Sequence, residues 1–396
     1  MNKKTIRDID VRGKRVLVRV DLNVPLDENG AITDDTRIRG VLPTVKYLID
    51  NRARLILCSH LGRPDGKVVD ELRLASVAQS LSELLGSPVE MATDCIGPQV
   101  EEAVGRLKEG DVLLLENLRF HPEEEKNDPG FAQALARLAD IYVNDAFGTA
   151  HRKHASAVGV AEHLPAVAGF LMEKEIDIMD RALNDPVRPF TAIIGGAKIS
   201  DKIGVLEYIV ERVDSVLIAG GMGSTFLKAL TYDVGQSSVE KEKVGLAQLL
   251  MEKAAKKGVH LLLPTDVVVA EKFEPRVRFR TVRITDVPSG WYVVDIGPQT
   301  IELFEAKLRK SKTVIWNGPV GVFEFPKFGK GTEAIANALA GLDATTIIGG
   351  GSTAEAVERL GLVDKMTHVS TGGGASLKFL EGKTLPGVAV LMDKES

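Results

Sequence analysis

The stretch TTIIGGGSTAEA, residues 345–356, contains a complete folding unit in a short space. Its β-branched and apolar start predicts a buried strand, its three glycines predict a tight turn, and its end favours a helix. Glycines at such a turn let backbone N–H groups approach a phosphate, and the helix N-terminus adds a partial positive charge. They also let a helix pack closely on a sheet. The turn is therefore either a phosphate cradle or a packing device.

The same pattern recurs along the chain. Continuous apolar runs alternate with longer amphipathic stretches, which predicts βαβ units around buried parallel sheets. The runs are 15–25, 54–64, 112–122 and 141–152 in the first half and 191–198, 215–226, 313–324, 345–356 and 367–377 in the second. The predicted fold class is therefore α/β.

Length predicts two domains, because 396 residues exceed the size at which one hydrophobic core keeps growing. The charged stretch EKEIDIMDRALNDPVRP, residues 173–189, has a helical composition and is closed by Asn, Asp and two prolines. We interpret it as a helix that joins the two domains.

Composition narrows the class of protein. A formal charge of -5 argues against a general nucleic-acid or anionic-membrane binder, and no apolar run approaches the ~20 residues of a membrane helix. The two cysteines, Cys58 and Cys95, have no metal-type spacing, and no apolar signal segment follows the first lysines. These features predict a cytoplasmic protein.

Glycine turns end nearly all strands of the second half. Several of them at one sheet edge favour phosphate binding over packing alone, because ligands of open α/β sheets lie at the carboxyl ends of the strands. Lys198 and Lys202 are four residues apart and would share one face of a helix predicted to start there, with an anion between them. The alternative is a solvated surface pair.

Two segments of the second half come close to known nucleotide-binding motifs. A Walker A loop is excluded, because GKT at 382–384 has Leu377 in the place of the first glycine. GGGSTA at 349–354 matches the dinucleotide pattern, but no acidic residue ends the following strand. A nicotinamide-dependent oxidoreductase therefore ranks behind an enzyme that binds a phosphate-containing ligand here, and a catalytically silent binding scaffold ranks third.

Basic side chains follow the strands of the first half. Arginine's planar fork suits carboxylate and phosphate oxygens, so arginines at one sheet edge would converge on a small anionic ligand. The candidates are Arg37, Arg63, Arg119 and Arg152, with His60, His121, His151 and His154 nearby. The alternative is that each arginine makes an ordinary salt bridge. A metal at His151 and His154 is disfavoured, because no Glu-rich partner motif follows.

Asp21 and Asn23 lie on one face of an extended segment, since side chains alternate along a strand. They would hydrogen-bond a hydroxyl of a polyhydroxy acid, or else form an Asx turn before Pro25. Together the halves suggest a nucleotide domain and an anion domain facing each other across a hinge. Phosphoryl transfer between them is the simplest function.

Taken together, these motifs closely resemble those of the phosphoglycerate kinase family over essentially the whole length of the chain. The motifs that carry the resemblance are RVDLNVP, TDDTRIR, SHLGRP, LLLENLRF, VNDAFGTAHR, IIGGAKISDKIG, WNGPVGVFE, IIGGG and STGGGASL, in the family's order. The resemblance implies a monomeric, cytoplasmic, glycolytic enzyme. It would move a phosphoryl group reversibly between 1,3-bisphosphoglycerate and ADP, with Mg²⁺ and without nucleic-acid or membrane partners.

The resemblance also implies two Rossmann-like domains, each a parallel sheet flanked by helices. Residues 1–172 with the tail 383–396 would bind phosphoglycerate, 173–185 would form the interdomain helix, and 186–382 would bind the nucleotide. The implied substrate residues are Asp21, Asn23, Arg37, His60, Leu61, Gly62, Arg63, Arg119 and Arg152. The implied nucleotide residues are Lys198, Lys202, Asn317, Glu324, Gly350, Gly351, Ser352 and Thr353. The implied catalytic groups are Arg37, Lys202, Gly351 and Gly374.

The chain departs from the family pattern at the metal position. Ser352 stands where the family usually has a metal-binding Asp, so the residues that hold Mg²⁺ are unknown and we expect the nucleotide to hold most of it. Gly223 and Ser224 replace the usual Ala and aromatic residue, which leaves nucleobase selectivity open.

Overall fold

The computed structural model describes residues 2–394, so Met1 and the last two residues of the predicted C-terminal tail lie outside the described part. The chain divides into two compact units. Unit 1 comprises Met1–Asp177 with Thr384–Ser396, and unit 2 comprises Ile178–Lys383. The boundary falls within helix α6, Phe170–Asn184.

Unit 1 contains a six-stranded parallel sheet in the order β3-β4-β2-β1-β5-β6. Its strands are β1 (Arg15–Arg19), β2 (Arg54–Cys58), β3 (Val89–Met91), β4 (Val112–Leu114), β5 (Ile141–Asn144) and β6 (Ala166–Ala168). Its helices are α1 (Thr36–Asp50), α2 (Ala75–Leu85), α3 (Pro98–Arg106), α4 (Pro122–Glu125), α5 (Pro129–Ala136) and α14 (Pro386–Ala389).

The core of unit 1 follows from its hydrophobic pattern. The central strands β1 and β2 are buried beyond their first residue, as expected where helices cover both faces of a parallel sheet. Helix α1 buries Ile38, Val41, Val45 and Leu48, which recur at helical spacing and form one apolar stripe. The stripe packs into the same core cluster as the strands.

Unit 2 contains a second six-stranded parallel sheet in the order β15-β14-β13-β7-β8-β9. Its strands are β7 (Phe190–Ile194), β8 (Ser215–Ile218), β9 (His260–Leu262), β13 (Thr313–Asn317), β14 (Thr345–Gly349) and β15 (His368–Val369). Its helices are α7 (Ile203–Ile209), α8 (Gly221–Ala229), α9 (Val244–Lys256), α10 (Pro298–Leu308), α11 (Lys330–Ala340), α12 (Gly351–Arg359) and α13 (Gly374–Leu380).

The predicted fold class is confirmed, because each unit is a parallel sheet flanked by helices. Sequence analysis missed the short strands β3, β6 and β9. It also missed a three-stranded antiparallel sheet in unit 2, formed by β10 (Asp266–Ala270), β11 (Phe279–Arg283) and β12 (Tyr292–Ile296). Within residues 2–394, no helix is both long and apolar enough to span a bilayer.

Candidate active site

Strand β1 leads directly into the first part of the site in unit 1. Asp21 is largely buried, and its carboxylate accepts a hydrogen bond from the guanidinium of Arg37, in the first turn of α1. The same side chain accepts from the Asn23 backbone N–H at 3.2 Å, and Asn23 Oδ1 accepts from Gly62 N at 2.8 Å. Asp21 therefore makes the Asx-type contact and also orients Arg37.

The loops after β2 and β4 are tied together beside it. Asn117 accepts from Leu61 N at 3.2 Å and donates to Leu61 O at 2.8 Å. Leu61 is itself buried and both of its backbone groups are bonded to Asn117, so it shapes the site without a free polar group for a ligand. Arg119 donates to Gly62 O at 2.9 Å, and its Nε lies 3.3 Å from Glu125 Oε1 without hydrogen-bonding geometry. Burial lowers the pKa of the Arg119 guanidinium, against the opposing effect of Glu125.

Two of the predicted arginines have no carboxylate partner. Neither Arg63 nor Arg152 forms an ion pair with any residue from 2 to 394, whereas Arg37 and Arg119 each have a carboxylate close by. Arg63 is exposed, and Arg152 lies near enough to Arg119 to lower its pKa further. The salt-bridge alternative therefore does not account for Arg63 and Arg152, which are available to an anionic ligand.

A buried arginine that sequence reasoning missed lies beneath this cluster. Arg19, at the end of β1, is only 1% exposed and donates to Ser156 Oγ at 2.8 Å and to His60 Nδ1 at 3.1 Å. Glu124 accepts from Ser156 N at 2.9 Å and from Ser156 Oγ at 2.5 Å, so Ser156 connects a buried carboxyl to the arginine. An arginine inside an apolar strand was the sequence signal that could have revealed it.

This arrangement sets the charge of the histidines. Burial, with Arg19, Arg119 and Arg37 nearby, holds the pKa of His60 well below its usual value, so the ring is neutral. Because its Nδ1 accepts from Arg19, its proton is on Nε2. Burial, with Arg19, Arg119 and Arg152 nearby, lowers the pKa of His154 to about 3. Neither imidazole adds positive charge near neutral pH, so the charge of the cluster comes from guanidinium groups.

Unit 2 places its glycines at the topological switch point between β7 and β13. A Cβ atom on Gly195 would lie 2.2 Å from Pro319 O, and one on Gly318 would lie 2.2 Å from Gly195 O. Gly318 also has φ +97°, a left-handed conformation. These two glycines serve close backbone packing, whereas a Cβ on Gly351 would meet nothing within 4 Å. Gly195 and Gly318 therefore fit the packing interpretation, whereas Gly351 has open space beside it and stays a candidate for phosphate binding.

The predicted lysine pair is not on a helix, and that expectation was wrong. Residues 195–202 form a loop, and α7 begins only at Ile203, because Gly196 N and Gly196 O bond to Pro319 O and Met222 N instead of starting a helical turn. Lys198 is exposed. Lys202, half-buried, donates to Asn317 Oδ1, and burial lowers the pKa of its ammonium.

A polar donor stands unused near these groups. Asn317 is fully buried, and its Nδ2 has no hydrogen-bond partner among residues 2–394. A Cβ on Gly350 would lie 3.2 Å from that nitrogen, which puts the amide beside the start of α12. Buried polar groups are normally satisfied, so this amide is a candidate ligand donor.

Helix α12 supplies backbone donors at the same edge. Gly350 has φ +91° and precedes the helix, whose first N–H groups have no partner within it. Ser352 is exposed, but Thr353 is buried and its hydroxyl accepts from Gly318 N at 2.7 Å. Thr353 therefore holds the turn after β13 against α12. At β15, Gly374 likewise begins a helix, α13.

A cavity of about 270 Å³ opens beside the glycine turn after β8. Its lining includes Gly223, Ser224, Phe273, Asp295 and Glu324. Sequence reasoning named Glu324, Gly223 and Ser224 but missed Phe273 and Asp295. The cavity is mostly apolar with a polar edge, as nucleobase and nucleoside sites are.

The family model for phosphoglycerate kinase matches residues 6–383. The chain belongs to the phosphoglycerate kinase family. It is 58% identical over 394 residues to the phosphoglycerate kinase of Moorella thermoacetica and 57% identical to that of Pelotomaculum thermopropionicum, with 100% of each chain covered in both cases.

Solved structures agree. The phosphoglycerate kinase of Coxiella burnetii superposes with a TM-score of 0.89 at 41% identity, and that of Pyrococcus horikoshii with 0.84 at 35%; each comparison covers 98% of both chains. The chain is thus a phosphoglycerate kinase-type phosphotransferase of glycolysis, which moves a phosphoryl group reversibly between 1,3-bisphosphoglycerate and ADP to give 3-phosphoglycerate and ATP. The nicotinamide hypothesis is set aside.

Proposed function

We propose that unit 1 binds the phosphoglycerate and unit 2 binds the nucleotide, each at the carboxyl edge of its own sheet. The observation that carries this assignment is the difference between the two sites. Unit 1 offers guanidinium groups, two of which, Arg63 and Arg152, have no carboxylate partner within residues 2–394. Unit 2 offers backbone N–H groups, one half-buried ammonium and a mostly apolar cavity. Only the second combination suits a nucleoside with a chain of phosphates.

In unit 1, we assign the anionic ends of the acid to Arg63, Arg119 and Arg152. We assign the migrating phosphoryl group to Arg37, whose guanidinium is paired with Asp21. Neutral His60 would donate from Nε2 to a ligand oxygen, since its Nδ1 is engaged by Arg19. Asn23 would complete the pocket through its amide NH₂ group. Leu61 and Gly62 would shape the pocket, because their backbone groups are bonded to Asn117, Asn23 and Arg119.

In unit 2, we assign the phosphates to Lys198, Lys202, Asn317 and the N–H groups at Gly350, Gly351 and Gly374. Glu324 lines the cavity and would accept hydrogen bonds from the ribose hydroxyls. Thr353 would act indirectly. Its hydroxyl accepts from Gly318 N, so it positions the turn after β13 and does not itself contact a phosphate. Gly223 and Ser224 would face the base.

The side-chain oxygens near the start of α12 could be only minor ligands of Mg²⁺. Ser352 is an exposed hydroxyl and Thr353 is already engaged, so the nearby protein oxygens are neutral. Mg²⁺ binds substrate phosphates readily while keeping several waters, and there it neutralises phosphate charge. We propose that the nucleotide holds the ion and that Ser352 contacts it directly or through water.

No general base is needed. An anionic ADP phosphate oxygen attacks the phosphorus of the acyl phosphate, and the bond between that phosphorus and the bridging oxygen breaks. The bridging oxygen takes the electron pair and leaves as a carboxylate, which needs no proton at neutral pH. The enzyme must therefore align the groups and neutralise charge on the equatorial oxygens. We assign that work to Lys202, Arg37 and the N–H groups of Gly351 and Gly374.

Domain closure follows from the same chemistry, because an acyl phosphate exposed to water would hydrolyse. We propose that both ligands together draw the units closed, with the helix at 173–185 as a hinge element. Small-angle scattering should show compaction only with both ligands present, and identical profiles would remove the closure proposal. We further propose that the enzyme acts in the cytoplasm and as a monomer. Light scattering, which measures the molar mass in solution, tests the monomeric state.

The deciding experiment measures ATP formation from 1,3-bisphosphoglycerate and ADP while Mg²⁺ is titrated. We expect Mg²⁺-dependent turnover, and no turnover at any Mg²⁺ concentration would refute the assigned reaction. Ser352→Asp restores a carboxylate beside the nucleotide and should lower the Mg²⁺ concentration needed for half-maximal rate. An unchanged Mg²⁺ requirement would show that position 352 does not control metal affinity.

A further inference from the structure

Three metal-ligating side chains meet in the loops after β3 and β4, at the carboxyl edge of the unit 1 sheet. Asp94 and Cys95 lie in the loop after β3, and His121 lies after β4, the neighbouring parallel strand. One ligand atom from each side chain lies within 4.8 Å of the other two. His121 Nε2 is 2.7 Å from Asp94 Oδ1. The loops of two adjacent strands thus bring an imidazole, a thiol and a carboxylate together.

We propose that Asp94, Cys95 and His121 form a binding site for a divalent transition metal of the zinc type. Nitrogen, sulfur and oxygen ligands in one set suit Zn²⁺ or Co²⁺, and three protein ligands leave a position for water. Ligand atoms around tetrahedral zinc lie roughly 3–4 Å apart, given bond lengths near 2.0–2.3 Å. The distances within the set, up to 4.8 Å, therefore need only small changes, although the 2.7 Å contact between His121 Nε2 and Asp94 Oδ1 must open to admit the ion. The site goes beyond the proposed function and is independent of it.

The surroundings suit entry of an ion from one side. Cys95 is buried, while the side chains of Asp94 and His121 are 49% and 27% exposed, so the thiol forms the floor and the other two form the rim. The His121 ring packs against Phe131 with centroids 5.3 Å apart. Its backbone is also held, because His121 N donates to Leu118 O at 3.2 Å.

The thiol distinguishes this site from the nucleotide's magnesium. Mg²⁺ prefers hard oxygen ligands and does not favour thiolate, whereas thiolate and imidazole favour zinc and its neighbours. A metal probe in the absence of nucleotide, with Mg²⁺ in excess, therefore reports on the Asp94, Cys95 and His121 site. Cys58, the chain's other cysteine, is buried in β2 and provides a matched control.

The test uses the full-length protein freed of metal with a chelator. Titration with Co²⁺ should produce a sulfur-to-cobalt charge-transfer band at one equivalent, and Zn²⁺ should displace it. Cys95→Ser should abolish the band, while Cys58→Ser should retain it. Absence of the band, or a band that persists in Cys95→Ser, would overturn the proposal and indicate adventitious surface binding.

A second measurement covers the case in which Cys95→Ser does not fold. Asp94→Asn keeps an oxygen that can accept from Cys95 N, a contact now at 2.6 Å, but it removes the anionic ligand. We expect it to weaken cobalt binding at least about tenfold, the low end of what even an outer-shell change costs. Zn²⁺ should also raise the thermal midpoint of the wild type more than that of Asp94→Asn, by mass action. Equal affinities and equal midpoint shifts would contradict the site.

Discussion

The candidate anion sites of the two units differ in construction. In unit 1 the positive groups are side chains, and Arg19 and Asp21 hold His60 and Arg37 from behind. In unit 2 most donors are backbone N–H groups at helix starts, with Lys202 as the one half-buried ammonium that contacts Asn317. A guanidinium cluster recognises the shape of a small acid, whereas a backbone cradle recognises phosphate in general.

The difference determines how each site can fail. A side-chain site is lost when one of its residues is truncated. It also needs neighbours such as neutral His60, which do not repel the guanidinium groups. A backbone site is lost by adding atoms, since a single methyl group at an open glycine occupies ligand space. The following changes test this contrast, from the largest expected effect to the smallest.

Lys202→Ala removes the principal charged side chain from the backbone-built site. We expect kcat to fall about 10² to 10³-fold, the usual cost of one donor that stabilises charge in the transition state. Steady-state kinetics with both substrates saturating measure it. Lys228→Ala, at an exposed position of α8, is the surface control and should keep wild-type turnover. A Lys202→Ala turnover within threefold of wild type would remove the catalytic assignment.

Arg63→Ala and Gly351→Ala form a reciprocal pair. Arg63→Ala should raise the KM for 3-phosphoglycerate by roughly tenfold, the value of one charge-assisted hydrogen bond, with little change in the KM for ATP. Gly351→Ala adds a methyl group where no protein atom lies within 4 Å, so it should raise the KM for ATP instead and leave the thermal midpoint unchanged. If both variants affected the same substrate, the division of labour between the units would be wrong.

Asp145→Asn tests a feature that the units share. Burial raises the pKa of Asp145, in unit 1, and of Asp295, in unit 2, to about 7. Each carboxyl accepts from the start of a helix: Asp145 from Leu171 N at 2.9 Å, and Asp295 from Gly331 N at 2.8 Å. Backbone hydrogen bonds therefore hold both carboxyl groups in place, while burial disfavours the ionised form of each.

The sign of the pH effect follows from these pKa values. The folded pKa of Asp145 lies above its ordinary value of 3.8, so its contribution to stability is fully present below about pH 4 and is lost as pH rises through about 7. Asp145→Asn keeps an acceptor for Leu171 N and has no proton to lose. The thermal midpoint of the variant relative to wild type should therefore rise between about pH 5 and about pH 8. A difference that is constant with pH would show that Asp145 is not held neutral.

Local pattern was enough to predict much of the molecule. The long strands of both sheets and the polar groups at their carboxyl ends were visible, because a buried parallel strand is a continuous apolar run and the loop residues follow it directly. The edge strands β3 and β9 were missed because they are three residues long and only partly buried. The helix expected at Lys198 failed because Gly196 bonds across the switch point to Pro319 and Met222.

The amino-acid sequence by itself determined the α/β class, the arginine-rich and glycine-rich loops and the family, since these depend on neighbours along the chain. Tertiary structure alone decided which glycines pack and which stay open, that Arg19 lies beneath His60, and that Cys95 meets Asp94 and His121. The physical reason is that parallel strands far apart in sequence end at one sheet edge. Spacing along the chain contains no information about which loops meet there.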